Sequence, residues 1–297
     1  MTLRTVFIIN PKSGTPKYIS RLHYLIRKHL GRNNRNISIY KSRRPEQVYE
    51  IASRVAADGC DMVVAVGGDG TVNEAARGLV NTDTALGVLP SGSGNGYAKN
   101  MGLPFRLEPA LEVIKNPRFR RIDVGQVHDQ IFLVSCGIGW EAIIATLFEG
   151  SRLRGILPYA HATITTFSQY EPQEIEIYSE PGNWEYHGRP MLFSIANMKE
   201  FGVGITIAPD ALDDDGLLDI CLIPRHSLLN VLKYAPEMFR KNTAEIPGYI
   251  RRSAVKINIR RPYPGNIHVD GTPKPAGNEI DIKILPSALK VAVKQSG

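Results

Sequence analysis

The sequence predicts an α/β domain on a parallel sheet, followed by a second domain that is mostly antiparallel β. Two observations predict this. In the first third, short apolar runs alternate with helix-length polar stretches, the pattern of strands joined by crossover helices. Beyond about residue 124 the apolar period falls to two, as expected of strands with one buried face and one wet face.

The elements follow in order. RTVFIIN (4–10) reads as a strand, YISRLHYLIRKHL (18–30) as a helix, NISIYK (36–41) as a strand and PEQVYEIASRVAADG (45–59) as a helix ended by glycine. DMVVAV (61–66) is a strand, a helix follows from about 72 to 80, and ALGVLP (85–90) is the next strand. The second half supplies the alternating runs EIEIYS (174–179), MLFSIA (191–196), LLDICLI (217–223), VKINIR (255–260), EIDIKIL (279–285) and LKVAVK (289–294). Apolar helical segments near 141–170 and a helix near 228–241 interrupt them. The boundary falls so that residues 1–124 form the first domain and 125–286 the second, with about 287–297 able to return to the first.

With 297 residues and 43% apolar content the chain can bury a full core. Its net charge of +7 is concentrated: nine Lys or Arg and no acid lie between Lys17 and Arg44. Nucleotide phosphate, an anionic lipid surface or a solvated basic face all account for that run. A nucleic-acid partner is not expected, because interleaved aromatics and recognition modules are absent from it. Cys60, Cys136 and Cys221 are far apart and sit in or beside apolar runs, so they read as buried hydrophobes rather than a disulfide or metal framework. No apolar run approaches the roughly 18 residues of a membrane span, and the opening MTLRTVFIINPKSG lacks a signal core; a cytoplasmic protein is expected.

Three glycine- or serine-rich loops end strands of the first domain. Gly67-Gly68-Asp69-Gly70-Thr71 follows the third strand, Gly92-Ser93-Gly94-Asn95-Gly96 the fourth, and Asn10-Pro11-Lys12-Ser13-Gly14 the first. Ligands of open α/β sheets sit at such strand ends. Glycines there permit positive φ and let phosphate reach main-chain N–H groups without meeting a Cβ. Thr71-Val72-Asn73-Glu74 fits a capping box at the start of a helix whose N-terminus favours an anion. A tight turn with Thr71 as a plain cap is the alternative. An acid such as Asp69 repels phosphate unless a cation accompanies the ligand. Neither GxxxxGK[ST] nor a GxGxxG after the first strand is present.

Those loops, with Asn73-Glu74 after GGDGT and Pro90-Ser-Gly-Ser-Gly-Asn95, resemble the catalytic domain of the diacylglycerol kinase family, and the resemblance runs along nearly the whole chain. It implies a Rossmann-like parallel sheet of the NAD kinase and phosphofructokinase type joined to a β-sandwich. It implies transfer of the γ-phosphate of ATP, with Mg²⁺, to a hydroxyl of diacylglycerol or a sphingoid lipid in an interdomain cleft. ATP maps onto Asn10, Pro11, Lys12, Ser13, Gly14, Ser42, Gly67, Gly68, Asp69, Gly70, Thr71, Val72, Asn73 and Ser93.

The family's proton acceptor maps onto Asp270 of HVDGTPKP, which also reads as a hairpin turn. A metal turn maps onto IAPDALDDDGLLDI, with the Asp215 carboxylate and the carbonyls of Leu212 and Leu217 as ligands, and Asp123 joins Asp69 and Lys12 in a charge network. Two positions depart from the pattern: Gly96 stands where many bacterial members have an acid, and Thr272 replaces the glutamate after Asp-Gly. The segment Trp140 to Tyr170 reads as core or as an acyl pocket. With the basic run it suits peripheral docking on an anionic inner membrane surface; a homodimer is left open. An NAD kinase, which shares GGDGT, and a nucleotide- or lipid-binding regulator without turnover are the alternatives.

Overall fold

The computed structural model describes residues 3–11, 13, 16–31, 36–44, 46–149, 165–167, 169–201 and 204–295. The chain divides into two compact units, Met1–Ile122 with Ser287–Gly297, and Asp123–Pro286.

The first unit runs β1 (Thr5–Ile9), α1 (Pro16–Leu30), β2 (Ile37–Lys41), α2 (Glu46–Ala57), β3 (Met62–Gly67), α3 (Asp69–Leu79), β4 (Ala85–Pro90), α4 (Gly96–Asn100) and α5 (Leu107–Lys115), leading into β5 (Arg118–Val127). β1, β3 and β4 are buried at every residue. Parallel strands covered on both faces require that, and their apolar runs are correspondingly unbroken. β2 lies at the edge beside β1, giving the parallel order β2-β1-β3-β4. Phe7, Ile9, Leu22, Ile26, Val64, Leu89, Leu111 and Ile114 form the core under α1 and α5.

The second unit continues with β6 (Gln130–Phe132), β7 (Ser135–Gly139), α6 (Trp140–Glu149), β8 (Ile175–Glu180), β9 (Trp184–Gly188), β10 (Pro190–Ala196), β11 (Leu218–Pro224), α7 (Leu228–Phe239), β12 (Ile250–Ala254), β13 (Lys256–Arg260), β14 (Gly265–Val269), β15 (Thr272–Ala276) and β16 (Glu279–Val293). One sheet is antiparallel in the order β12-β11-β10-β7-β14-β15; in the other, β16-β13-β8-β9 are antiparallel neighbours. Ile138, Phe193, Ile195 and Ile220 of the first sheet share a core with Ile177, Ile257, Ile259 and Ile282 of the second. It is a β-sandwich.

The two predicted terminal strands are one. β16 is continuous; burial alternates from Glu279 to Ile284, where it pairs with β13, and becomes nearly unbroken after Ser287, where Val291 pairs in parallel with Leu86 of β4. One strand therefore carries both period signatures, and Leu285-Pro286-Ser287 between them read as a break. Of the expected helical region 141–170, α6 is described to Glu149, while residues 150–164 and 168 lie outside the described residues. All three cysteines are buried and free, and among the described residues no helix is long and apolar enough to cross a membrane.

Candidate active site

The first loops are tied to one another at the ends of β1, β3 and β4. The Asn10 main-chain N–H donates to the Val66 carbonyl at 3.1 Å, and its Nδ2 donates to Thr71 Oγ1 at 3.0 Å. That contact corrects the expected capping box. α3 begins at Asp69, earlier than predicted, and Gly68 is its N-cap with no side-chain bond. The Gly68 carbonyl accepts from Thr71 and Val72 directly, which frees the Thr71 hydroxyl for Asn10. Glu74 instead pairs with Arg77 at 3.4 Å.

The glycines serve close approach, not positive φ: Gly67, Gly68 and Gly70 are absent from the left-handed residues. A Cβ on Gly67 would collide with the Thr71 side chain, and one on Gly92 would stand 2.5 Å from Gly68 Cα. Ser91 N–H donates to the Gly67 carbonyl at 2.9 Å. Gly70 differs, since it is exposed and nothing lies within 4 Å of where its Cβ would be. It lies in the first turn of α3, where orphan N–H groups and the helix dipole favour an anion.

Asp69 is half-buried, and its Oδ1 accepts the Tyr97 N–H at 3.1 Å. Burial pushes its carboxyl above the usual range, opposed by the main-chain N–H groups of Gly96, Tyr97 and Asn95. Its charge is thus directed onto the start of α4, which holds the second loop against the first. Asn95, at φ 50°, closes that loop by exchanging side-chain bonds with Gly92 N–H (3.0 Å) and carbonyl (2.8 Å). Ser93 is exposed at its tip, as is Pro11 in the loop after β1, where Ser13 N–H donates to Asn10 O at 3.0 Å. Ser42 is buried with its hydroxyl 3.4 Å from the Ile9 carbonyl, and Val72 turns into the core. Asn73 follows on α3. Lys12 and Gly14 lie outside the described residues.

In the second unit Asp270 and Gly271, at φ 47° and 78°, form the two-residue link between Val269 and Thr272. Both left-handed values are what a tight I′ hairpin needs, and Asp-Gly is suited to it. The turn fixes the Asp270 carboxylate, which accepts N–H groups from Leu133 (2.9 Å), Val134 (2.8 Å) and Ser135 (3.1 Å). Asn197, fully buried, supports that segment from behind. Its Nδ2 donates to the Leu133 carbonyl at 2.9 Å and to the Asp123 carbonyl at 3.1 Å.

Asp123 is buried and binds the acidic turn at two points. Its N–H donates to Asp213 O at 2.7 Å, and its Oδ2 accepts Gly216 N–H at 2.6 Å. Asp215 Oδ1 accepts Leu217 N–H at 3.0 Å. Partial burial first, then the charges of Asp219 and Asp123, push the Asp215 carboxyl up. Among the described residues no group of three or more His, Cys, Asp or Glu side chains is arranged to hold a metal. A cation here would need main-chain carbonyls beside Asp215, and a hard-oxygen set under mutual carboxylate repulsion fits Mg²⁺. Leu212 is exposed and Leu217 half-buried on that turn.

Residues 4–127 match the diacylglycerol kinase catalytic domain, and residues 134–293 match the YegS C-terminal NAD kinase beta sandwich-like domain. The chain belongs to the diacylglycerol kinase family. It is 30% identical over 240 residues, 78% of this chain and 77% of the relative, to a protein of Enterobacter sp. (strain 638) named probable lipid kinase YegS-like. A diacylglycerol kinase of Mycobacterium tuberculosis is 27% identical over 303 residues, with 98% and 95% of the two chains covered. A crystal structure of a diacylglycerol kinase from Bacillus anthracis has a TM-score of 0.78 at 20% identity, covering 98% of this chain and 96% of that one; it shows the fold.

Sequence reasoning missed three buried polar residues around the Asp270 turn of this kinase. Asn197 carried no motif, and its only signal is a polar residue directly after a strand that is apolar at most positions. Glu141 and His268 form a buried pair, Nε2 to Oε2 3.1 Å, beside the Asp270 turn. The basic run is partly neutralised, since Arg21 pairs with Glu108, His29 with Glu112, and Arg44 with Glu50.

Proposed function

We propose that this kinase transfers the γ-phosphate of ATP to a lipid hydroxyl, with Asp270 accepting the hydroxyl proton. The observation that carries the reading is the Asp270 carboxylate on its tight turn, oriented by three main-chain N–H donors. Phosphoryl transfer has a loose transition state, so a carboxylate in place as the P–O bond forms matters more than its basicity.

The phosphates rest on the first turn of α3 and the Gly92–Asn95 loop, with Gly67, Gly68, Asp69 and Asn10 shaping that surface and Ser13, Ser42, Asn73 and Ser93 bordering it. Mg²⁺, when bound, offsets phosphate charge; Asp215 with the Leu212 and Leu217 carbonyls would hold one. The lipid arrives from an anionic membrane surface. Arg27, Lys28, Lys41 and Arg43 are exposed and, among the described residues, in none of the ion pairs, so binding to anionic vesicles should weaken with salt.

The test is transfer from γ-labelled ATP with Mg²⁺ to mixed micelles that hold diacylglycerol, ceramide, sphingosine or monoacylglycerol in turn, with NAD as control. Label in one lipid supports the reading; label in NAD alone replaces it. Asp270→Asn should retain ATP binding and lose about two to four orders of magnitude of turnover.

A further inference from the structure

We propose that Glu141 and His268 form a buried positioning pair for Asp270, an inference that rests on the reading of Asp270 as the base. His268 lies two residues before it on β14, and the Gly271 N–H donates to His268 Nδ1 at 3.3 Å. A ring nitrogen that accepts carries no proton, so the proton of the neutral imidazole is on Nε2. Nε2 faces Glu141 Oε2 at 3.1 Å, and a carboxylate oxygen there selects that tautomer. The chain of contacts therefore runs from the first turn of α6, through the imidazole, to the second residue of the turn that carries Asp270.

The fold makes room for the pair. Gly137 of β7 stands opposite both His268 and Ser194 in the sheet. A Cβ there would collide with the Glu141 carboxylate and the His268 ring. Side-chain exposures are 7% for His268 and 6% for Glu141, and the Phe201 ring meets the imidazole edge-on at 6.3 Å between centroids. Burial pushes the Glu141 carboxyl up, opposed first by His268 and last by the Ser194 hydroxyl, and among the described residues Glu141 Oε1 and Ser194 Oγ have no hydrogen-bond partner. Cys136, beside Gly137 on β7, points the other way, into the core between the two sheets, where burial pushes its thiol up.

Stability does not account for these groups. Burying an acid and an imidazole with an unmatched oxygen gains nothing over apolar residues of the same volume. What the pair supplies is a fixed acceptor for the Gly271 N–H. Without it the Asp-Gly turn keeps its main-chain ladder but loses the contact that sets its tilt.

The experiment uses the full chain. Long-range ¹H–¹⁵N spectra at neutral pH should place the His268 proton on Nε2; a proton on Nδ1 overturns the proposal whatever the acceptor lipid. Turnover of ATP with dioleoylglycerol micelles is then compared in His268→Asn, which can accept at the δ position, and His268→Gln, which reaches Glu141 but offers nothing to Gly271. Asn should stay within about threefold of the parent, and Gln should lose about tenfold or more in kcat with KM for ATP nearly unchanged. Equal rates in the two variants overturn the proposal. Should His268→Gln fail to fold, a large loss in folded His268→Asn does so instead. Asp270→Asn separates the two levels. If it retains full turnover, the base reading fails, whereas an inactive Asp270→Asn beside a fully active His268→Gln removes only the pair.

Discussion

Replacing Gly70 with alanine separates what the fold needs from what the ligand needs. Gly70 is exposed in the first turn of α3, has no positive φ, and has nothing within 4 Å of an added Cβ. Alanine is a better helix residue, so Gly70→Ala should stabilise the protein by about 0.5 kcal/mol. That is a rise of about 1–2 °C in Tm. A phosphate seated on those N–H groups would meet the new methyl, and an overpacked contact costs about 1–3 kcal/mol. ATP should then bind about 5- to 150-fold more weakly.

Urea unfolding and calorimetric titration with Mg-ATP read the two effects separately. A more stable variant with unchanged affinity would refute the placement of phosphate over α3. Gly92→Ala is the contrasting case. Its Cβ would stand 2.5 Å from Gly68 Cα, against about 3.5–4.0 Å for ordinary carbon contact, so the two loops must part and both stability and affinity should fall.

Burial holds Asp69 above the ordinary carboxylate range, so the folded protein binds that proton more tightly than the unfolded chain. Its contribution is therefore fully present below the unfolded pKa and is lost as pH rises through the folded one. The stability of the parent relative to Asp69→Asn should decline from about pH 4 towards neutrality, and a flat difference in chemical denaturation contradicts the assignment. Asn197→Ala removes two buried hydrogen bonds and should cost about 2–4 kcal/mol in urea unfolding. Asn197→Asp, which faces the same two carbonyls with a carboxylate, should be worse, and a milder Asp variant would show that those bonds are misassigned. Mg²⁺ at ten times its Kd should stabilise the parent by about 1.4 kcal/mol and leave Asp215→Ala unmoved; equal stabilisation of both places the metal elsewhere.

The fold was legible where period and element agree. Phe7, Val64 and Leu89 sit in unbroken apolar runs because parallel strands here are covered on both faces. Ile257, Ile259, Ile280 and Ile282 alternate because one face of their sheet packs on the other sheet of the sandwich. β16 defeated the reading because it serves both kinds of sheet, and a period rule applied to Pro286 and Ser287 sees only an interruption. Arg21, His29 and Arg44 read as an unopposed basic run because their acids, Glu108, Glu112 and Glu50, come from other elements.

At the site, legibility followed the reach of the contacts. Asp270-Gly271 is local, so sequence alone specified the hairpin that carries the Asp270 carboxylate. Gly67, Gly68 and Gly92 stood out in the sequence, but the positive φ expected of them is absent; what the structure shows is the close approach of Gly68 and Gly92, 24 residues apart. The Glu141–His268 pair was invisible because it joins residues 127 apart in sequence. Its one trace is Gly137, a glycine in the interior of a buried strand where an apolar side chain would otherwise be expected. A missing side chain in such a strand marks a volume that some other group fills. Here that group is a buried hydrogen-bonded pair beside the proposed base, which is why the tautomer of His268 is a sharper probe of the site than any further truncation of its loops.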